Sequence, residues 1–300
     1  MKVVNAERLR AASAGFRALF YEELAARTVI WPQLAMRIDS DSPEETYNWL
    51  TGFGQMREWV GDRVIRSLAA HGFTIRKKDW EYTISVHRDE ILFDKLNLVR
   101  PRIQNMADLA ARHRDQLVAD LLIGGFTNLC YDGQYFFDTD HPSPGTASGV
   151  QSNRTNKKLS KQAFEAAYAA MQALVNDEGE PLEITPTHLV VPPQLRATAL
   201  EIVKAERLEN GQTNINRDAV EVLVLPRLAK QPTYWFLLDL SRPIKPFIVQ
   251  IVKDMEFVGL ESPDDQNVFM RKEYLYGVDC MDNAGYALWQ LAYGSTGEAD

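Results

Sequence analysis

Between Arg100 and Phe126 the chain reads RPRIQNMADLAARHRDQLVADLLIGGF. Apolar residues fall at Ile103, Met106, Leu109, Ala110, Leu117, Leu121 and Leu122. That spacing lines one stripe of a helix with a 3.6-residue period. Pro101 suits a first helical turn, where a missing N–H costs nothing. Gly124 and Gly125 offer the left-handed backbone that closes a helix. Arg112, Arg114, Asp115 and Asp120 are assigned to the opposite, polar face. The pattern predicts a long spine helix, with extended segments before it and a compact α/β body after it.

Upstream, Leu9, Ala12, Phe16 and Leu19–Phe20 predict a short amphipathic helix within an arm over residues 1–40. Lys2, Arg8, Arg10 and Arg17 make it locally basic, and Trp31–Pro32 breaks any helix there. Residues 42–63 mix aromatic and charged side chains with Gly52, Gly54 and Gly61, so regular structure is expected to be short. A hairpin is predicted to leave from Arg63. On its returning limb Trp80, Tyr82, Ile84 and Val86 alternate with Glu81, Thr83, Ser85 and His87, the period of a strand. Its polar tip is expected around His71–Gly72 and Arg76–Lys77–Lys78–Asp79. A two-stranded hairpin is marginal in isolation, so its aromatic face needs a partner.

Downstream, the Pro, Gly, Ser and Asn content of Pro142 to Asn156 predicts a flexible surface loop. Ser160 is placed to cap a helix over 160–176 whose apolar side holds Phe164, Ala167, Tyr168, Met171 and Leu174–Val175. A strand is expected at His188–Val191, a helix at Pro193–Leu208, and strands at Ala219–Leu225 and Thr233–Leu240. This alternation argues for an α/β subdomain, with Glu209–Arg217 as an exposed loop. Lys245–Val252, Val268–Val278 and Ala284–Tyr293 read as strands returning to a sheet, and the tail GSTGEAD as frayed.

The charge balance, 33 − 41 = −8, argues against a protein whose task is gripping duplex nucleic acid. It is compatible with a container that surrounds nucleic acid loosely. Cys130 and Cys280 form no CxxC pair and point to a reducing compartment. There is no apolar stretch of a secretory signal near the start and no run of about 18 apolar residues. A cytosolic product with no membrane span is expected.

The most chemically suggestive cluster is Asp138, Asp140 and His141 in FFDTDHP. Two carboxylates and an imidazole suit a divalent metal and would support a metal-dependent hydrolase. The competing reading is a turn in which Asp and Thr bond nearby backbone. It is preferred because no further ligands are evident. The five histidines form no HxxxH or HExxH, and no GxSxG, P-loop or GxGxxG occurs. Gly52–Phe53–Gly54 lacks a strand–helix setting. Pro263–Asn267 lacks the spacing of a calcium loop.

Three stretches carry a family resemblance. ETYNWL (45–50) is followed by MREWVGDR (56–63); CYDGQYFFDTDHP occupies 130–142; NVFMRKEYLYGVD (267–279) is followed by GYALWQLAYGS (285–295). Their order, spacing and aromatic content resemble the Mu-like phage and prophage major head subunit, the T product, over essentially the whole chain. The resemblance implies an α+β chain with the HK97-like phage capsid fold. Its parts would be an N-terminal arm (1–40), an E-loop region (41–100), a spine helix and P-domain (101–159), an A-domain (160–260), and C-terminal strands returning to the P-domain and A-domain sheet (261–300). It implies a major capsid protein, not an enzyme, with no cofactor, no metal and no catalytic residue. Hexamers and pentamers of the chain would form an icosahedral shell around double-stranded DNA without sequence-specific binding. Scaffold/protease, portal and decoration proteins would be its partners, the virion its destination, and the host bacterial cytoplasm its place of assembly. Candidate subunit contacts are Arg76, Lys77, Lys78, Trp80 and Tyr82 on the hairpin, with Trp31 and Phe16 in the arm. An encapsulin-like compartment shell is the alternative with the same architecture.

Overall fold

The computed structural model describes residues 6–48, 72–93, 95–207, 211–262 and 265–299. The limb expected from Arg63 and the Gly52–Phe53–Gly54 pair lie outside the described residues.

The predicted spine is a 29-residue helix, Leu96–Gly124. To number it, α1 is Ala6–Ala26, α2 Trp31–Leu34, α3 Arg88–Leu92 and the spine α4. The spine begins four residues earlier than the apolar spacing suggests, so Pro101 lies inside it. There its ring withdraws one N–H from the ladder. Val99, Ile103, Met106, Ala107, Ala110, Ala111, Val118, Ala119 and Leu122 form the buried stripe, and Arg114 lies in it with 7% exposure. Leu109, expected in that stripe, is 46% exposed. The two closing glycines are not left-handed: Gly125 has φ −63°. They are small because of close approach. A Cβ on Gly125 would stand 2.6 Å from the Phe137 ring, and one on Gly124 2.5 Å from the Asn128 amide.

Two sheets flank the spine. The first orders its strands β1-β11-β12-β4, with β1 Ala35–Asp39, β4 Lys78–His87, β11 Phe247–Leu260 and β12 Glu273–Tyr286. β1 runs parallel to β11, and β12 lies antiparallel between β11 and β4. The strand predicted from the Trp80–Val86 alternation is therefore present, but it is an edge of this sheet. The hairpin pairing involves β2 (Glu44–Tyr47) and β3 (Phe73–Arg76). Arg76–Lys78 consequently marks the passage from β3 to β4, not a hairpin tip, and the Lys77 amide bonds the Pro43 carbonyl at 2.9 Å.

The second sheet has the order β7-β13-β10-β8-β9. Its strands are β7 Arg154–Lys157, β8 His188–Val191, β9 Glu221–Val224, β10 Trp235–Leu238 and β13 Ala292–Ala299. The tail expected to fray is β13, paired on both sides by β10 and β7. The segment 142–156, expected as a loop, holds β5 (His141–Pro142), β6 (Val150–Gln151) and β7, with Ser143 and Asn153 buried. Helix α5 (Lys161–Gln172) starts where predicted, the Ser160 hydroxyl accepting the Ala163 amide at 3.1 Å. The helix expected at Pro193–Leu208 is a 3₁₀ turn, Pro193–Leu195, leading into α6, Arg196–Lys204. In the Glu209–Arg217 region Asn214 is buried, not exposed. Its amide donates to the carbonyls of Ile202 and Ala205 at 2.9 and 3.0 Å, satisfying the end of α6. Residues 266–271 form helix α7, closed by left-handed Lys272 (φ 57°), where a strand was expected. Strand β12 stops at Tyr286, and Trp289–Leu291 is a 3₁₀ turn before β13.

Apolar burial divides into two cores. The smaller joins Leu9, Phe16 and Phe20 of α1 to Val99, Ile103 and Met106 of α4 and to Phe257, Tyr274 and Tyr276 of β11 and β12. The Phe16 and Tyr276 rings meet edge to face at 5.3 Å. The larger collects Val118 and Leu122 of α4, Phe136, Phe137, α5, α6 and the five-stranded sheet. The spine spans both.

Candidate functional site

At the middle of the spine, Arg114 reaches across to β12. Its Nε donates to Asp282 Oδ2 at 2.8 Å and its Nη2 to Asp254 Oδ1 at 2.8 Å. Asp282 is fully buried, and His113 Nε2 stands 3.0 Å from its other oxygen. The Trp80 ring packs on His113 at 4.7 Å, and its Nε1 donates to the Asp282 carbonyl. The Arg114 guanidinium lies over Trp31, 5.7 Å from the ring centre. Asp254 also takes a hydrogen bond from Arg37 of β1. Burial pushes the Asp254 carboxyl up, but the Arg114 charge and hydrogen bond outweigh it and hold the group below the usual carboxylate range. The next residue of the spine, Asp115, accepts the amides of Ile30 and Trp31 at 2.9 and 2.8 Å, supplying the acceptors that the start of α2 needs. Sequence reasoning placed Arg114 on the solvent face. The signal was available: Ala110, Arg114 and Val118 are four apart and share one helix face.

The contact candidates separate by placement. Phe16 and Trp31 are buried in the subunit's own cores. Trp80 is half-buried against His113. Arg76 pairs with Glu44 at 2.8 Å and Lys77 with Asp79 at 2.6 Å, while the Lys78 ammonium lies 5.9 Å from the Trp80 ring centre. Exposed pairs of this kind contribute about 0–1 kcal/mol each. Tyr82 remains exposed on β4.

A set of large apolar residues not singled out from sequence is also exposed: Phe269 (85%) and Met270 (68%) on α7, Leu260 at the end of β11, Phe93 after α3, and Leu98 at the start of α4. The Arg88 amide bonds the Lys272 carbonyl at 2.7 Å, which sets α3 beside the end of α7. The helical period explains the exposure. Val268 is the buried residue of α7, and the two residues after it turn outward.

In FFDTDHP the three expected ligands do not converge. Asp138 spends its oxygens on the Tyr135 and Thr139 amides at 3.2 and 2.8 Å, and Asp140 is exposed. His141 is buried and turns to Asp132, 2.7 Å away. Cys130 and Cys280 are buried free thiols. Burial raises both, Cys280 to about 12. Alkylation of native protein at pH 8 is expected to be slow, with monomer bands only on non-reducing gels. Rapid labelling or a disulfide ladder would contradict this burial.

A long spine between two cores, a paired hairpin base and an N-terminal helix laid along the spine together describe a phage capsid subunit of the HK97-like fold. The subunit in the procapsid of bacteriophage JBD30 superposes with a TM-score of 0.64 at 30% identity, covering 99% of this chain and 77% of that one. The chain belongs to the family described as Mu-like prophage major head subunit gpT, whose model matches residues 9–164, 151–228 and 229–300. It is 29% identical over 300 residues to the major capsid protein of Escherichia phage Mu, spanning 99% of this chain and 76% of that protein. It is 28% identical over 298 residues to the Mu-like prophage FluMu major head subunit of Haemophilus influenzae, with 99% and 76% coverage. The family is a structural capsid protein and not an enzyme, so the hydrolase reading built on Asp138, Asp140 and His141 falls away.

Proposed function

We propose that copies of this major capsid subunit assemble as hexamers and pentamers into an icosahedral shell around double-stranded DNA. Assembly would take place in the host cytoplasm with scaffold/protease, portal and decoration proteins as partners. The family match along nearly the whole chain carries this reading. The net charge of −8 supports a container that does not adhere to its contents. In this reading residues 1–40 are the arm, 41–100 the E-loop region, 101–159 the spine and P-domain, 160–260 the A-domain, and 261–300 the returning strands. Phe269, Met270 and Leu260 would be covered by neighbouring copies, since exposed apolar residues grouped at one end mark contact surfaces. Tyr82, Arg76, Lys77 and Lys78, on and beside β4, remain proposed contacts.

Co-expression with the cognate scaffold, followed by sedimentation and electron microscopy, tests assembly. A persistent monomer would refute it. The double substitution Phe269→Asp and Met270→Asp is expected to leave circular dichroism and urea unfolding unchanged, because both side chains are exposed, while shell yield falls at least tenfold. Undiminished yield would remove α7 from the proposed contacts.

A further inference from the structure

We propose that Cys130, Asp132 and His141 bind a structural zinc ion that clips the irregular segment between the spine and β5. No helix or strand is formed between Gly124 and His141. The segment nevertheless carries Cys130, Tyr131, Phe136 and Phe137 into the larger core, so its order has to come from side chains. The three proposed ligands offer Sγ, a carboxylate oxygen and a ring nitrogen, all within 4.8 Å of one another. Cys130 and His141 are buried, and the Asp132 side chain is 13% exposed.

The surroundings of Asn153 orient the imidazole. Asn153 Nδ2 donates to the carbonyls of Phe136, Trp289 and Ala292 at 2.8, 3.2 and 3.1 Å, which fixes Oδ1 as the other atom. His141 Nε2 stands 3.1 Å from that Oδ1. An oxygen only accepts, so Nε2 carries the hydrogen, and the neutral ring turns the lone pair of Nδ1 to Asp132 Oδ2, 2.7 Å away. Two acceptors this close and out of water need a positive centre between them. Cys130 Sγ closes the group, 3.0 Å from Asp132 Oδ1.

The outer contacts are those that hold metal ligands in place. Nε2–H is anchored on Asn153, the ring is stacked on Trp289 with centres 3.9 Å apart, and Asp132 Oδ1 accepts the Gln134 amide at 3.0 Å. The Tyr135 carbonyl, 4.0 Å from Sγ, offers a fourth ligand. Ligand atoms of a tetrahedral zinc stand about 3.3 Å apart, so the ion must open the Nδ1–Oδ2 gap by a fraction of an ångström. One thiolate and one carboxylate neutralise a divalent ion, and the thiol proton is released to solvent. Thiolate with imidazole selects zinc over magnesium or calcium. The other grouping of this kind among the described residues is His113, Cys280 and Asp282. It is spoiled by Arg114, whose Nε holds Asp282 Oδ2 at 2.8 Å. Asp138 and Asp140 take no part in the proposed site.

Elemental analysis of subunit purified without chelator tests the site. About one zinc per subunit is expected in the unsubstituted chain, in Asp140→Ala and in Cys280→Ser, and less than about a tenth of that in Cys130→Ser. Removing the ion with a chelator should lower the urea midpoint. Restoring zinc chloride to 100 times its dissociation constant should raise the folding constant about 100-fold. Cobalt chloride added to the stripped, unsubstituted subunit should give the near-ultraviolet absorption of a thiolate–cobalt bond, which decides the matter should Cys130→Ser fail to fold. Subunit without zinc that shows no such absorption would overturn the proposal and leave a proton between His141 and Asp132. Zinc retained in Cys130→Ser, or lost in Cys280→Ser, would overturn it equally.

Discussion

Removing the chain from Ala292 onward is expected to leave no soluble, folded subunit. The deleted strand β13 lies inside the five-stranded sheet, between β10 and β7. Its loss would strip Trp235, Phe236, Leu237 and Leu238 of a hydrogen-bonding neighbour, and all four are buried. Buried backbone groups left without partners cost about 1–3 kcal/mol each. Four such groups would together cost about 4–12 kcal/mol, comparable with the 5–15 kcal/mol by which a typical domain is stable. A milder test keeps the strand. Gly294→Val would drive a side chain towards the Phe137 ring, which already lies 2.8 Å from an ideal Cβ. Overpacking of that kind costs about 1–3 kcal/mol. Solubility, circular dichroism and urea midpoints read both. A truncated chain that stays soluble and cooperative would show that β13 is dispensable.

Asp282→Ala is expected to destabilise the subunit by about 3–5 kcal/mol, the usual cost of removing one partner from a buried ion pair. Arg114 would keep only Asp254, an acid that is itself exposed at its side chain. Asp282→Asn, which retains acceptor and volume, should cost less. The network is also acid-sensitive through Asp254. Because that group is lowered in the folded state, its contribution is present above the unfolded carboxylate range, about pH 4. It is lost as pH falls towards the folded value. Urea unfolding at pH 7 checks the substitutions, and unfolding followed from about pH 4 downwards checks the acid response. An Asp282→Ala midpoint equal to that of the unsubstituted chain would show that the buried carboxylate does not hold the spine.

The parts most legible in the sequence are those whose stability is local. Trp80, Tyr82, Ile84 and Val86 alternate because one face of β4 is more covered than the other, and Ser160 marks a helix start through a bond to an amide three residues on. Two features were concealed because distant residues determine them. GSTGEA has no strand-forming apolar run. It is ordered by pairing with β10 and β7, and its Gly294 fits beneath Phe137. Arg114 looked solvent-bound because arginine usually is, yet Asp282, 168 positions later, draws it inward. Of the candidate contacts, the exposed pair on α7 was hidden inside what read as a continuous strand. Phe16 and Trp31 carry the apolar signature of a contact whether the surface they meet belongs to a neighbour or to the same chain.

The Ser13 hydroxyl lies 2.9 Å from the Tyr276 hydroxyl, across 263 positions of sequence. During synthesis at about 5–20 residues per second, helix α1 would wait roughly 13 to 50 s on the ribosome before the strand it packs against emerges. Throughout that interval Leu9, Phe16 and Phe20 have no complete core to enter. The larger core waits at least as long, since it needs Ala292 and Tyr293, so both cores are completed only after these late segments emerge, and until then newly made subunits are exposed to chaperones and to premature association.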